Sequence, residues 1–288
     1  MSFECNATKK ALKPSNCALL PEMIVGMITT PLGFSLTEAE ALLVDSWQDA
    51  LFDVAADRIY VWPRFVGVED QSQEPVYEDT PHALLHVRDG NYRWRFQIKE
   101  SLCLHRKMYT HRSTTGRAFL IDEAGNIIGT RLANGEIAGF RIQLLNSEKM
   151  IINDGSVSTK SPIMLALADN KEFDKNGVMF DGSDFLGSLN PIADALITIV
   201  DASDTEINFT VVVECDSTPL PGFVDADFEL LDADGAEQTI AVVDNGDGSY
   251  TATGTGLESG TLGFSRGPAS PLTIEGYEAE PADVTIAS

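Results

Sequence analysis

Residues 91–99, Asn-Tyr-Arg-Trp-Arg-Phe-Gln-Ile-Lys, alternate strictly between large apolar and polar side chains. That period of two belongs to a β-strand, whose successive side chains point to opposite faces. Tyr92, Trp94, Phe96 and Ile98 fall on one face, and Arg93, Arg95, Gln97 and Lys99 on the other. Short runs of this kind recur along the chain, separated by turn chemistry, and they point to a mainly β protein. Residues 58–62 make an aromatic and β-branched strand stopped by Pro63. Residues 117–121 and 127–130 flank Asp122-Glu-Ala-Gly-Asn126, a hairpin signal. A turn at Ala133-Asn-Gly-Glu136 leads into a strand over 139–145, and a turn over 146–149 precedes a strand over 150–152. Residues 153–160 read as a polar loop and 162–168 as a further strand.

One helix interrupts the strands. Ser35-Leu-Thr-Glu38 reads as a capping box, and apolar residues then recur at Leu36, Ala39, Leu43, Trp47, Ala50 and Leu51. The helix is expected to end between Leu51 and Val54. Before it, the chain to about Pro31 carries Pro14, Pro21 and Pro31 and no helical period, so it reads as an extended arm. Residues 69–81 are acidic, contain proline and lack a period, which predicts a loop. Residues 169–191, rich in Gly, Asp and Asn, read as a loop-bearing linker.

Charge divides the chain at the end of that linker. Residues 192–288 hold 19 Asp/Glu against one Lys/Arg, Arg266, a formal charge of −18 that leaves −6 of the total −24 for residues 1–191. Strands are predicted in this second unit over 195–200, 207–215, 226–231, 238–243, 249–253, 260–264 and 283–287. Turns at Pro219-Leu-Pro-Gly222, Asp232-Ala-Asp-Gly235 and Asp244-Asn-Gly-Asp-Gly248 separate several of them. Seven short strands in so few residues predict an Ig-like β-sandwich, without the Cys…Trp…Cys of antibody domains. An acidic surface repels phosphate, which disfavours nucleic-acid binding. The polar start and the short apolar run 23–28 give neither a signal peptide nor a membrane span.

No residue set points to an enzyme or to a cofactor. Gly263-Phe-Ser-Arg-Gly267 matches the GxSxG pattern, but all four histidines precede it and no helix follows. His82 and His86 are four residues apart on a segment read as loop into strand, where they lie too far apart to share a metal. The acidic turns lack the twelfth-position Glu of an EF-hand and read as hairpin turns. The basic residues of 88–117 alternate away from the aromatic ones, which is wrong for stacking on bases. Cys5, Cys17, Cys103 and Cys215 form no CxxC pair. Reduced thiols are expected, with a Cys5–Cys17 bridge left open.

Residues 1–191 resemble the virion structural proteins of tailed bacteriophages, above all tail tube (major tail) proteins. The resemblance is carried by residues 17–26, Thr30-Pro-Leu-Gly-Phe-Ser35, the helix to Trp47, Tyr92-Arg-Trp-Arg-Phe96, Ile121-Asp-Glu-Ala-Gly-Asn-Ile-Ile-Gly129 and Glu172-Phe-Asp-Lys-Asn-Gly177. Residues 244–253 resemble the turn and strand of bacterial Ig-like modules. The resemblance implies an assembly domain over 1–191, a β-sandwich or half-barrel with one flanking helix, followed by an Ig-like domain over 192–288. It implies a subunit assembled in the host cytoplasm into stacked six-membered rings of the virion. Its partners would be copies of itself and other tail proteins, with DNA passing through the channel unbound and no membrane. Another virion role (tail ring, connector or capsid decoration) and a carbohydrate- or cell-binding adhesin stand as alternatives. The candidate assembly residues are Tyr92, Trp94, Phe96 and Ile98 of the alternating strand, with Glu69 and Tyr77 of the 69–81 loop. No catalytic, cofactor-binding or metal-binding residue is assigned.

Overall fold

A computed structural model describes residues 2–3, 21–51, 53, 57–80, 83–184, 186–189, 192–265 and 277–286. Strands hold 48% of the chain and helices 11%, so the fold is mainly β. It divides into two compact units, Met1–Pro191 and Ile192–Ser288.

In the first unit the elements run β1 (Ser2–Phe3), β2 (Ile24–Thr30), α1 (Val44–Leu51), β3 (Tyr60–Val61), β4 (Phe65–Asp70), β5 (Val76–Thr80), β6 (Ala83–Arg88), β7 (Arg93–Ile98) and α2 (Leu102–Met108). They continue with β8 (Arg117–Asp122), β9 (Asn126–Arg131), β10 (Ile137–Ala138), β11 (Phe140–Ser147), β12 (Ser161–Leu167), α3 (Asn170–Asp174) and β13 (Gly177–Asp181). All the strands except β5 and β6 join one curled half-barrel sheet, with the path β1-β13-β9-β8-β11-β12-β7-β4. β11 carries the sheet around its bend. Its start pairs with β8, its end pairs with β12, and the register slips between Ile142 and Leu144. Such a bulge bends a strand and tightens its twist, which lets one strand serve both halves. Met27, Phe96, Ile98, Leu120, Phe140 and Leu165 fill the interior of the curl. The other face of β8 and β13 is covered too. Trp47 of α1 sits edge-on to Phe119 at 5.1 Å and stacks on Phe180 at 6.4 Å. Coverage on both sides explains the near-continuous apolar run of β8.

Several local expectations are corrected. A capping-box pair lies two residues downstream of its expected place, and it opens a 3-10 turn, Glu40–Leu42, so that the expected helix is shortened to α1 from Val44. Thr37 N–H donates to Glu40 Oε2 (2.8 Å), and Glu40 N–H donates to Thr37 Oγ1 (3.3 Å). Ser35 instead donates to Glu136 (2.6 Å), while Leu36 bridges to Ile137, so the chain is still extended there. One flanking helix was expected and three are present among the described residues. The last seven residues of the expected arm, β2, form a strand that pairs along β8. The expected linker over 169–191 contains α3 and β13, and β13 pairs with β9 along its whole length. Of the strand expected over 150–152 only an Ile151–Lys160 bridge forms. Cys103 and Cys215 are both disulfide-bonded, contrary to the expectation of reduced thiols. Cys5 and Cys17 lie outside the described residues.

The second unit has two sheets. One follows β18 (Ala241–Asp244), β19 (Ser249–Thr253), β15 (Glu206–Val213), β14 (Ala193–Ala202) and β21 (Tyr277–Glu278). The other follows β17 (Glu237–Gln238), β16 (Phe228–Asp232), β20 (Gly260–Phe264) and β22 (Ala282–Val284). Ile197, Phe209, Val211, Leu230, Tyr250 and Leu262 pack between them. Each expected strand is present within a few residues, and the 238–243 run is split between β17 and β18. The acidic turns are held by their own side chains. Asp232 Oδ1 accepts from the amides of Asp234 and Ala236, and Asp247 Oδ1 from the amide and hydroxyl of Ser249. Those bonds to Ser249 hold the Asp247 carboxyl below its ordinary pKa.

Candidate assembly surface

The region expected as a loop over 69–81 is half of one long hairpin. β4 pairs with β7, the ladder continues through Gln71 N–H to Arg93 O and the Gln73–Asn91 bridge, and β5 then pairs with β6. The two strands close tightly at Gly90, where a Cβ would lie 1.8 Å from the carbonyl oxygen of Gln73, so no larger residue fits. Beyond that bridge the hairpin leaves the body. β5 and β6 form a two-stranded sheet of their own, roughly 17–20 Å of chain at the usual rise per residue.

This arm is unusual for what it leaves exposed. Val76, Tyr77, Leu84, Leu85 and Val87 are all solvent-accessible, with Leu84 at 65%. The pairing places Leu84 opposite Asp79 and Leu85 opposite Glu78. Leu84 and Leu85 are successive residues, so both faces of the ribbon carry an apolar side chain. A two-stranded ribbon is marginal alone in water, and its outer backbone edges are templates for further pairing. At the hairpin's base, β4 ends the path of the large sheet among the described residues, with Val66 exposed.

The expected site residues are distributed unevenly over this hairpin. Phe96 and Ile98 are fully buried in the unit's own core and offer nothing to a neighbour. Tyr92 and Trp94 are half-buried and stack at 5.5 Å, with Phe173 of α3 against both. Tyr92 donates its phenol proton to Asp174 (2.6 Å), and that carboxylate raises the phenol to about 12. Glu69 lies on the opposite face of the sheet. It shares Arg95 with Glu148, at 3.2 Å and 2.7 Å, and also accepts from Gln97. The Glu148 and Glu69 carboxylates raise the Arg95 pKa, locking its positive charge. Tyr77 alone of the six is on the arm, edge-on to His86 at 5.5 Å. The structure adds Val76, Leu84, Leu85 and Val87, which the sequence reading passed over. For Leu84, Leu85 and Val87 the signal was an Ala-Leu-Leu-His-Val-Arg run too apolar for a solvated loop.

His86 Nε2 is 3.0 Å from Asp89, and His82 lies outside the described residues. No cluster of three potential metal ligands occurs among the described residues. Ser265 donates to the carbonyl of Ala226 rather than to a base. In the second unit Phe209, Phe223, Phe228, Tyr250 and Phe264 pack on one another. No described helix is long and apolar enough to cross a membrane. No protein-family model matches the sequence, and no curated protein matches it.

Proposed function

We propose that the chain is a non-enzymatic virion structural subunit that assembles with copies of itself, and that its role is that of a tail tube protein. The observation that carries self-assembly is the β5–β6 arm. A ribbon with leucines on both faces, whose edges pair with no further strand among the described residues, lowers its free energy by entering a neighbour, and repeated subunits supply that neighbour at high local concentration. In the proposed assembly the first unit builds stacked six-membered rings around a channel. The arm reaches the next subunit, other tail proteins bind at the ends, and DNA passes without being held. The first unit's own charge, −6, favours this last point only weakly, because 19 of the 20 Lys/Arg lie within it. The second unit, at −18, keeps the outside of such an assembly soluble. Disulfides at Cys103 and Cys215 fit a particle exposed to oxidising surroundings.

The test is truncation after Pro191. Sedimentation velocity is expected to show the 1–191 chain assembling as the full chain does. A truncated chain that is folded yet monomeric, while the full chain assembles, would overturn the assignment of assembly to the first unit.

A further inference from the structure

The chemistry of the β5–β6 arm describes the surface that would receive it. Each face of the ribbon sets a leucine directly across from a carboxylate, Leu85 from Glu78 and Leu84 from Asp79. Residues opposed in this way share a face, with Cβ atoms about 5 Å apart. Residues 74–89 hold Glu74, Glu78, Asp79 and Asp89 against Arg88, a formal −3. Glu78 and Asp79 are exposed and form no ion pair among the described residues. A surface that fits this arm presents an apolar side chain beside a positive charge at about the same spacing.

The outer face of α2 does so. His105 and Met108 are buried, and Leu104 packs against the core. Leu102, Arg106 and Tyr109 follow one another at four and three residues, so they line the opposite side of the helix, neighbours lying about 5–6 Å apart. Leu102 is 63% exposed, and Tyr109 is exposed beside it. Arg106, and Lys99 just before the helix, are exposed and form no ion pair among the described residues. Arg112 adds its charge at the end of the stripe, with its guanidinium 3.9 Å from the Tyr109 ring. The one carboxylate within residues 99–112 is Glu100, so this is a cationic surface in a chain of −24. The helix is also held in place before any contact. Ser101 caps its first turn through the Leu104 amide (3.2 Å), and Cys103 is disulfide-bonded, so little further ordering is needed on binding.

We infer that this face of α2 receives the β5–β6 arm of a second copy of the chain. An arm leucine packs on Leu102 and Tyr109, and the carboxylate beside it pairs with Arg106. The occupant comes from another copy because the arm and α2 of one subunit leave each other's apolar side chains exposed. The inference rests on the assembly role proposed for the arm and names the arm's partner surface.

Sedimentation velocity of the full chain across a concentration series, with charge reversed on each side, tests it. Arg106→Glu, and separately Glu78→Lys with Asp79→Lys, are each expected to weaken association by about tenfold or more. The chain carrying all three substitutions is expected to recover most of that loss, because every copy then offers a reversed arm to a reversed helix. Leu102→Ser is expected to weaken association by about five- to twentyfold, the share of a leucine's burial that its exposure leaves open. That variant carries the test if circular dichroism shows Arg106→Glu unfolded. Folded α2 variants that associate like the wild type, while Leu84→Ser with Leu85→Ser weakens association, would overturn the receptor and leave the role of the arm standing. No recovery in the triple variant would overturn the pairing of Arg106 with those carboxylates. If the leucine pair also changes nothing, or the wild-type chain stays monomeric, the assembly reading of the arm falls and the receptor with it.

Discussion

Leu84 and Leu85 separate an arm that serves the subunit from one that serves the assembly. Leu84 is 65% exposed and Leu85 49% exposed. Fully burying a leucine side chain is worth about 1.5–3 kcal/mol. The exposed parts of the two therefore hold roughly 2–3.5 kcal/mol that only a neighbour can realise. At about 1.4 kcal/mol per tenfold, the double variant Leu84→Ser, Leu85→Ser should weaken subunit association by roughly 30- to 300-fold. Its cost to the subunit is confined to the arm, because β5 and β6 pair with no other strand among the described residues. About 1 kcal/mol lost there corresponds to a melting temperature lower by about 2–4 °C. Sedimentation velocity across a concentration series gives the association, and circular dichroism gives the melting curve. Assembly unchanged in the variant, with melting lowered by about 10 °C or more, would refute the reasoning. It would mean that the arm stabilises its own subunit.

Three further outcomes follow from the cores. Tyr250 is fully buried, its hydroxyl donates to Leu220 O (2.5 Å) and accepts from Phe223 N–H (3.4 Å), so Tyr250→Phe should cost the second unit about 1–3 kcal/mol in urea denaturation. A Cβ at Gly260 would lie 1.8 Å from the Leu231 carbonyl oxygen, inside the β16–β20 ladder, so Gly260→Ala should cost about 3 kcal/mol or more, read from the same denaturation curve. Burial lowers the pKa of His105, so the unfolded chain binds more protons below about pH 6.5. Stability of the first unit should therefore fall between pH 7 and pH 5, and His105→Leu should flatten that dependence. A slope unchanged by the substitution would exclude His105 as its source.

The alternating strand was readable because its period is imposed by burial on one face only. Phe96 and Ile98 point into the core and Arg95 and Gln97 to the opposite face. The same clarity made them poor assembly candidates, since a clean apolar face is consumed by the subunit's own core. The strands of the second unit were readable because Asp-Gly and Asn-Gly turns punctuate them, and Gly235, Gly246 and Gly248 do adopt positive φ. β5 was hidden because Glu78, Asp79 and the two prolines resemble loop composition, whereas its strand character comes from pairing with β6 in a local hairpin. β13 was hidden for the same reason, as Gly177 and Asp181 bound a short apolar run whose strand character comes from β9. The capping box was misplaced because Ser35 and Thr37 both precede a Glu by three residues. Only the bridge from Leu36 to Ile137 decides between them.

Negative-stain electron microscopy of the purified full chain across a concentration series tests the central claim most directly. Hollow tubes or stacked six-fold rings, appearing as concentration rises, are the predicted result. Dispersed monomers at every concentration, including in the presence of preformed tail-end complexes that could initiate assembly, would contradict it.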